Sequence, residues 1–160
     1  MEVRTRQKAV IVDVDGTLVD VSSIRHHIRE MMNDDGSWKR KNFDAFHRDS
    51  VNCPPIQSTL DHIEYWIGQG CAILIVTARS RRYYGPTAWW LAEHDVPHDA
   101  LYMRDDGDYR KDFLVKKEIL ARIEQRFEVV HAIDDNPSVI ELWTSEGIET
   151  TVVPGWEEVA

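Results

Sequence analysis

Cysteine occurs only twice in the 160 residues, at Cys53 and Cys71. Two thiols make neither a disulfide framework nor a zinc set, which excludes a small cross-linked scaffold and a zinc module. Long apolar runs are missing as well. The run at 71–76 falls far short of the roughly 18 residues of a membrane span. The opening stretch MEVRTRQKAVIVDVDG returns to charge before it reaches the length of a signal-peptide core. The expectation is therefore a protein that is not exported and works in a reducing cytoplasm, without a membrane partner. Basic charge is in deficit, with 19 Lys+Arg against 28 Asp+Glu and a net charge of −9. Such a chain is a poor coat for nucleic acid or an anionic surface, although a small basic pocket remains compatible with it. Repeats, low-complexity tracts and Gly/Ser/Pro-rich linkers are absent, so residues 1–160 are expected to form one domain with a sizeable core.

What the chain does have is alternation. Ala9-Val10-Ile11-Val12 is a short apolar run, and 71–76 is apolar at every position, as strands covered on both faces are. Shorter strand candidates lie at 100–103, 128–133 and 150–153. Between them, Ile56, Leu60, Ile63 and Ile67 recur at helical spacing and Gly70 supplies a stop. A helix entered after Gly85-Pro86 covers 87–94, another covers about 112–125, and Asn136-Pro137 reads as an N-cap with proline at the first helical position. This order predicts an α/β fold with a central parallel sheet of about five strands flanked by helices. Residues 20–55 break the rhythm. They are expected to insert two short helices after the first strand, with Ile24, Ile28, Met31 and Met32 on one and Phe43 and Phe46 on the other, joined by the turn Asp34-Asp35-Gly36. Trp66, Trp89 and Trp143 lie in helical patterns and are expected in the core.

Three apolar runs end in residues suited to phosphate chemistry: Asp13-Val14-Asp15-Gly16-Thr17, Thr77-Ala78-Arg79 and Asp134-Asp135-Asn136. In an open α/β sheet, positions just past the carboxyl ends of neighbouring strands converge on one crevice. Asp13 and Asp15, at i and i+2, can face one site, and carboxylates that close repel unless a cation or a shared proton intervenes. An Asp/Gly-rich turn that merely ends a strand is the competing explanation, and coincidence with the other two clusters weighs against it.

Asp13-Val14-Asp15-Gly16-Thr17-Leu18 after an apolar strand resembles the first motif of the haloacid dehalogenase (HAD) superfamily of phosphohydrolases, which have a Rossmann-like fold. Thr77 resembles the second motif, Lys116 the third, and Asp134-Asp135 the fourth, in the family's order across about residues 8–153. Gly107-Asp108-Tyr109-Arg110-Lys111-Asp112, Val115-Lys116-Lys117-Glu118-Ile119, and Ala132-Ile133-Asp134-Asp135 with Val139, Glu141 and Trp143 are similar to the phosphatase domain of bacteriophage polynucleotide kinase-phosphatase. A bacterial or phage source would fit that subgroup.

The resemblance implies that Asp13 is the nucleophile and Asp15 the general acid and base. It implies Mg²⁺ held by Asp13, the backbone carbonyl of Asp15 and Asp134, with Asp135 as a further metal candidate. Thr77 would bind a phosphoryl oxygen and Lys116 would neutralise charge on Asp13 and the phosphoryl group. Arg79 matches an arginine used for substrate phosphate, its alternative being a surface arginine. Asp112, one helical turn from Lys116, would orient Lys116 or substrate, or simply cap its helix. Arg25 lies one position from another substrate arginine of the subgroup. Ala78 departs from the glycine more usual after the second motif, which puts the backbone there in doubt.

The implied reaction is Mg²⁺-dependent phosphomonoester hydrolysis through an aspartyl-phosphate, at a 3′-phosphate on a nucleic-acid end. A phosphatase of nucleotides or other small esters is the second reading, and a non-catalytic end-binding module the third. No G-x-x-x-x-G-K-[ST] loop is present, so any kinase partner is expected on a separate polypeptide. Lys39-Arg40-Lys41 reads as a solvated face. The stretch 79–84 interleaves arginine with Tyr83 and Tyr84, which can stack on bases.

Overall fold

The computed structural model describes residues 5–29 and 32–155. Five strands, β1 (Gln7–Val12), β2 (Ala72–Ser80), β3 (Ala100–Arg104), β4 (Phe127–Asp134) and β5 (Glu149–Val152), form one parallel sheet in the order β3-β2-β1-β4-β5. The helices are α1 (Phe43–Ser50), α2 (Gln57–Gly68), α3 (Tyr84–Glu93), α4 (Asp112–Ile123) and α5 (Pro137–Ser145). Among the described residues, no helix is long and apolar enough to cross a membrane.

The uninterrupted apolar runs follow from burial on both faces. Along β1 and β2, Val10, Val12, Ile73 and Ile75 pack with Ile63 of α2 and Trp90 and Leu91 of α3. Their alternates Ala9, Ile11, Leu74 and Val76 pack with Ile119 and Leu120 of α4 and Val139 and Trp143 of α5. Pleating sends successive side chains to opposite faces, so residues 9–12 and 72–76 are apolar at every position. Gly70 leaves α2 at φ +81°, a conformation that few other residues adopt, and returns the chain to β2. The Asn136 side chain accepts a hydrogen bond from the Ser138 backbone at the start of α5, as the Asn-Pro pair predicted.

The chain runs outward from β1 to β3 on one side, then crosses back to β4 and β5 on the other. The reversal lies between β1 and β4, and the crevice beyond their carboxyl ends is the switch point of the fold.

Three expectations need correction. Among its described residues the insertion has one α-helix, α1, rather than two. The chain at Arg25–His27 makes only a single 3₁₀ turn, and Met32 pairs with Trp38 across the Asn33–Ser37 turn, leaving both side chains exposed. Ile24 is buried and Ile28 packs beside the core, so their spacing reflects packing without a continuous helix. Met31 lies outside the described residues. Trp89 is 52% exposed while Trp90 is buried, because one residue turns a helical side chain by about 100°. Gly85 and Pro86 stand inside the first turn of α3 rather than before it, where the missing N–H of proline costs nothing.

Candidate active site

The loop after β1 is held rigidly against its neighbours. The Asp13 backbone N–H donates to Ile133 of β4 at 3.1 Å, Ile56 N–H donates to Leu18 at 2.8 Å, and the Thr59 hydroxyl donates to the Thr17 carbonyl at 2.6 Å. The Asp13 carboxylate is thereby fixed at the floor of a cavity of about 420 Å³, together with Asp15, Thr77, Arg79, Lys116 and Asp135.

Lys116 projects from α4 into this floor and is buried. Its ammonium donates to Asp13 Oδ1 at 2.8 Å and to Asp134 Oδ2 at 3.0 Å. Burial would depress its pKa, but these two carboxylates outweigh that and raise it, so Lys116 stays charged. Asp134 is fully buried at the end of β4. Its Oδ1 accepts from the backbone of Asp135 at 2.9 Å and Asn136 at 3.1 Å, and its Oδ2 also receives Trp143 Nε1 at 3.4 Å.

The Thr17 hydroxyl lies within 3.3 Å of Asp13 Oδ2 and 3.2 Å of Asp135 Oδ1. Asp135 Oδ2 is buried without a hydrogen-bond partner, its nearest cation being Arg25 at 3.7 Å. Burial and the adjacent Asp134 carboxylate push Asp135 up to about 6. Burial and Asp134 likewise raise Asp13, against the pull of Lys116.

These features fit a hard divalent cation. Asp13, Asp134 and Asp135 each offer an oxygen within 4.8 Å of the others, all three side chains are buried, and their charge exceeds that of Lys116. Gly16 keeps the approach open. Its φ is +78°, and a Cβ there would stand 2.0 Å from Asp135 Oδ2. The Asp15 carboxylate is not part of this trio. It faces Arg79, whose Nε and Nη2 donate to its two oxygens at 2.9 and 2.5 Å. Burial raises the Asp15 pKa, but the guanidinium outweighs it and holds the carboxyl below its ordinary range.

The family model of the polynucleotide kinase PNKP phosphatase domain matches residues 7–155. The chain belongs to this family. It is a HAD-type phosphatase domain, related to polynucleotide kinase-phosphatase. A chain in the structure of a Pnkp1/Rnl/Hen1 complex is 27% identical with a TM-score of 0.74, the match covering 95% of this chain and 47% of that one. A second, from a Pnkp1/Rnl/Hen1 RNA repair complex, is also 27% identical with a TM-score of 0.72, covering 92% and 42%. The chain therefore spans less than half the length of these relatives. The class C acid phosphatase from Bacillus anthracis, solved with tungstate, shares the fold at 16% identity and a TM-score of 0.67, covering 95% and 68%.

Within this PNKP-type phosphatase domain, the structure brings Asp13, Asp15, Thr77, Arg79, Lys116, Asp134 and Asp135 together, with Arg25 beside Asp135. Arg79 is not a surface arginine. It is 3% exposed, and its Nη1 donates to Thr87 of α3 at 3.0 Å. Its backbone N–H donates to the Thr77 hydroxyl at 3.2 Å, so the Ala78 backbone bends without a glycine. Asp112 neither caps α4 nor holds Lys116. Lys111 occupies the N-cap position, and Asp112 accepts from Arg104 Nη2 at 2.7 Å on the cavity rim. Lys117 is exposed on the outer face of α4.

Arg104 and His47 lacked a sequence signal, whereas Tyr83 was marked by its place among arginines and Phe43 and Phe46 only as packing residues of the insertion. Arg104 also donates to the Ala78, Asp108 and Arg110 carbonyls, tying the 108–112 loop to β2. Phe43, Phe46, His47 and Tyr83 form an aromatic wall of the cavity. The His47 and Tyr83 ring centroids are 4.2 Å apart, and the Tyr83 hydroxyl donates to Asp44. Thr17 had a signal, because it sits inside the quoted Asp-x-Asp-Gly-Thr segment.

Proposed function

We propose that this chain is a Mg²⁺-dependent phosphatase that removes 3′-phosphate from polynucleotide ends through a phosphoaspartyl intermediate on Asp13, with residues 1–160 working as one phosphatase domain. The observation that carries the reading is the buried Asp13 carboxylate, held at the cavity floor by Lys116 and Thr17 beside Asp134 and Asp135.

Mg²⁺ would be held by Asp13, Asp134, Asp135 and the backbone carbonyl of Asp15, and when bound it lets two anions approach and stabilises charge on the phosphoryl oxygens. Asp13 then attacks phosphorus. Its Oδ–P bond forms as the bond from phosphorus to the 3′-oxygen breaks, and Asp15 protonates the departing oxygen. In the second half, a water oxygen attacks the phosphoryl group, Asp15 takes the water proton, and Asp13 is released with inorganic phosphate. Lys116 and Thr77 stabilise charge throughout.

The Asp15–Arg79 pair has a consequence for this cycle. While bound to Arg79, Asp15 is an anion suited to the base step. Its acid step requires that substrate phosphate draw the guanidinium away, so that the carboxyl loses its cation and can carry a proton. Arg79 is thus the phosphate ligand in this reading, with Arg25 and Asp112 at the edges of the substrate site.

A nucleic-acid end as substrate is supported by the family and by a relative solved in an assembly described as an RNA repair complex. The test is a panel of 3′- and 5′-phosphorylated oligonucleotides, mononucleotides and glycerol 2-phosphate, each with EDTA and with added Mg²⁺. Preference for 3′-phosphorylated oligonucleotides with restoration by Mg²⁺ is expected. Preference for mononucleotides of any phosphate position would overturn the polynucleotide reading, and full activity in EDTA would overturn the metal assignment.

A further inference from the structure

A second hollow of about 290 Å³ opens beside the active-site cavity, lined by Arg81, Tyr84, Leu101, Tyr102, Met103 and Arg122. The two hollows divide adjacent residues between them. Arg82 and Tyr83 line the active-site cavity while Arg81 and Tyr84 line the second, and at the end of β3 Arg104 faces the first while Met103 faces the second. The 81–84 segment and the end of β3 therefore line both hollows, which share this stretch of chain as a common wall. The 3₁₀ turn at Arg81–Tyr83 makes this possible by sending consecutive side chains to different sides.

Of residues 81–84, each hollow takes one tyrosine and one arginine. On the active-site side, the Arg82 guanidinium lies 4.9 Å from the Tyr83 ring centroid. On the other side Tyr84 is 58% exposed, and Arg81 makes a solvent-facing pair to Asp105 at 3.0 Å. Such exposed pairs contribute little and exchange readily for another anion. Aromatic faces interleaved with cations are what single-stranded nucleic acid uses, with stacking on the ring and the phosphate on the cation.

We propose that the second hollow is a subsite for the penultimate nucleotide of a single-stranded 3′-phosphorylated end, whose base stacks on Tyr84 and whose internucleotide phosphate meets Arg81 and Arg122. The terminal nucleotide then lies against the Phe43–His47–Tyr83 wall. This rests on the 3′-phosphatase reading and adds to it a strand path about two nucleotides long. The path also suits the acidic chain, because beyond the active site it requires only two arginines, Arg81 and Arg122.

The experiment compares kcat/KM for 3′-phosphorylated mono-, di-, tri- and longer oligonucleotides, with glycerol 2-phosphate as a substrate that reports the chemistry alone. A gain on the order of tenfold from one nucleotide to two, carried by KM, with little further gain beyond, is expected. Tyr84→Ala and Arg81→Ala should bring the dinucleotide-to-mononucleotide ratio towards one, and Tyr84→Phe should restore it. Equal kcat/KM for mono- and dinucleotide, or a ratio insensitive to Tyr84→Ala, would overturn the subsite while leaving the 3′-phosphatase reading standing. Hydrolysis of glycerol 2-phosphate without hydrolysis of any 3′-phosphorylated nucleotide would overturn both.

Discussion

Replacing Gly16 by alanine adds one methyl group, and the structure says where it goes. The Gly16 φ of +78° costs an L-residue about 1–2 kcal/mol. The new Cβ would lie 2.0 Å from Asp135 Oδ2, and real Cβ contacts essentially never fall under 3.0 Å, so the carboxylate must retreat by about 1 Å. That movement strains the Thr17–Asp135 hydrogen bond, worth about 1 kcal/mol. The sum is about 2–3 kcal/mol, which for a chain of this size lowers Tm by roughly 5–10 °C. Gly36→Ala is the matched control. Its φ is also positive, at +85°, but nothing lies within 4 Å of its Cβ, so it isolates the backbone strain from the collision. Thermal melts in EDTA and across a Mg²⁺ titration, with phosphate release measured in parallel, separate the two. Gly16→Ala should melt below Gly36→Ala, lose most of the Mg²⁺-dependent rise in Tm, and lose activity by at least tenfold. A Gly16→Ala protein that melts with Gly36→Ala and binds Mg²⁺ as the wild type does would refute the placement of Asp135 at the metal.

Two further outcomes follow from the buried charges. Lys116→Met should abolish turnover and, in EDTA at neutral pH, cost about 3–5 kcal/mol in urea unfolding, because Asp13 and Asp134 lose their shared cation; unchanged stability would show that the carboxylates are not held by Lys116. Burial draws His47 down to about 4 from an unfolded value near 6.5, so the unfolded chain binds the extra proton and stability is lost as pH falls through that window. Its contribution between about pH 7.5 and pH 4.5 is about 2.5 kcal/mol. Asp135, raised by burial, works in the opposite direction over an overlapping range, so the His47 part is read as the difference between wild type and His47→Phe. The variant should lose less stability on acidification, since His47 Nδ1 has no hydrogen bond to forfeit; identical pH dependence would contradict the burial argument.

The parts of the fold legible in the sequence were those where burial dictates composition. Strands apolar at every position can only be covered on both faces, and the polar residues that end them mark the crevice edge. The insertion was less legible because Ile24 and Ile28 occupy helical spacing while packing from a 3₁₀ turn. Trp89 and Trp90 are indistinguishable by composition, and only the angular position on α3 buries one of them. At the site, the residue types were readable and the resemblance supplied the Lys116–Asp13 pair, but the other pairings were not legible. Arg79 meets Asp15 across 64 residues of chain, and Arg104 takes Asp112, leaving Lys116 to Asp13 and Asp134. Such partnerships depend on the direction each side chain takes from its strand or helix, which the local sequence does not specify.

The central claim is that phosphate passes through the Asp13 carboxylate. Rapid acid quench of the enzyme turning over a 3′-radiolabelled phosphate oligonucleotide, followed by peptide mapping, tests it directly. Label on the peptide containing Asp13, chased by unlabelled substrate and absent from Asp13→Asn, is the predicted result. Label on another residue, or an Asp13→Asn protein that releases phosphate at near the wild-type rate, would contradict it.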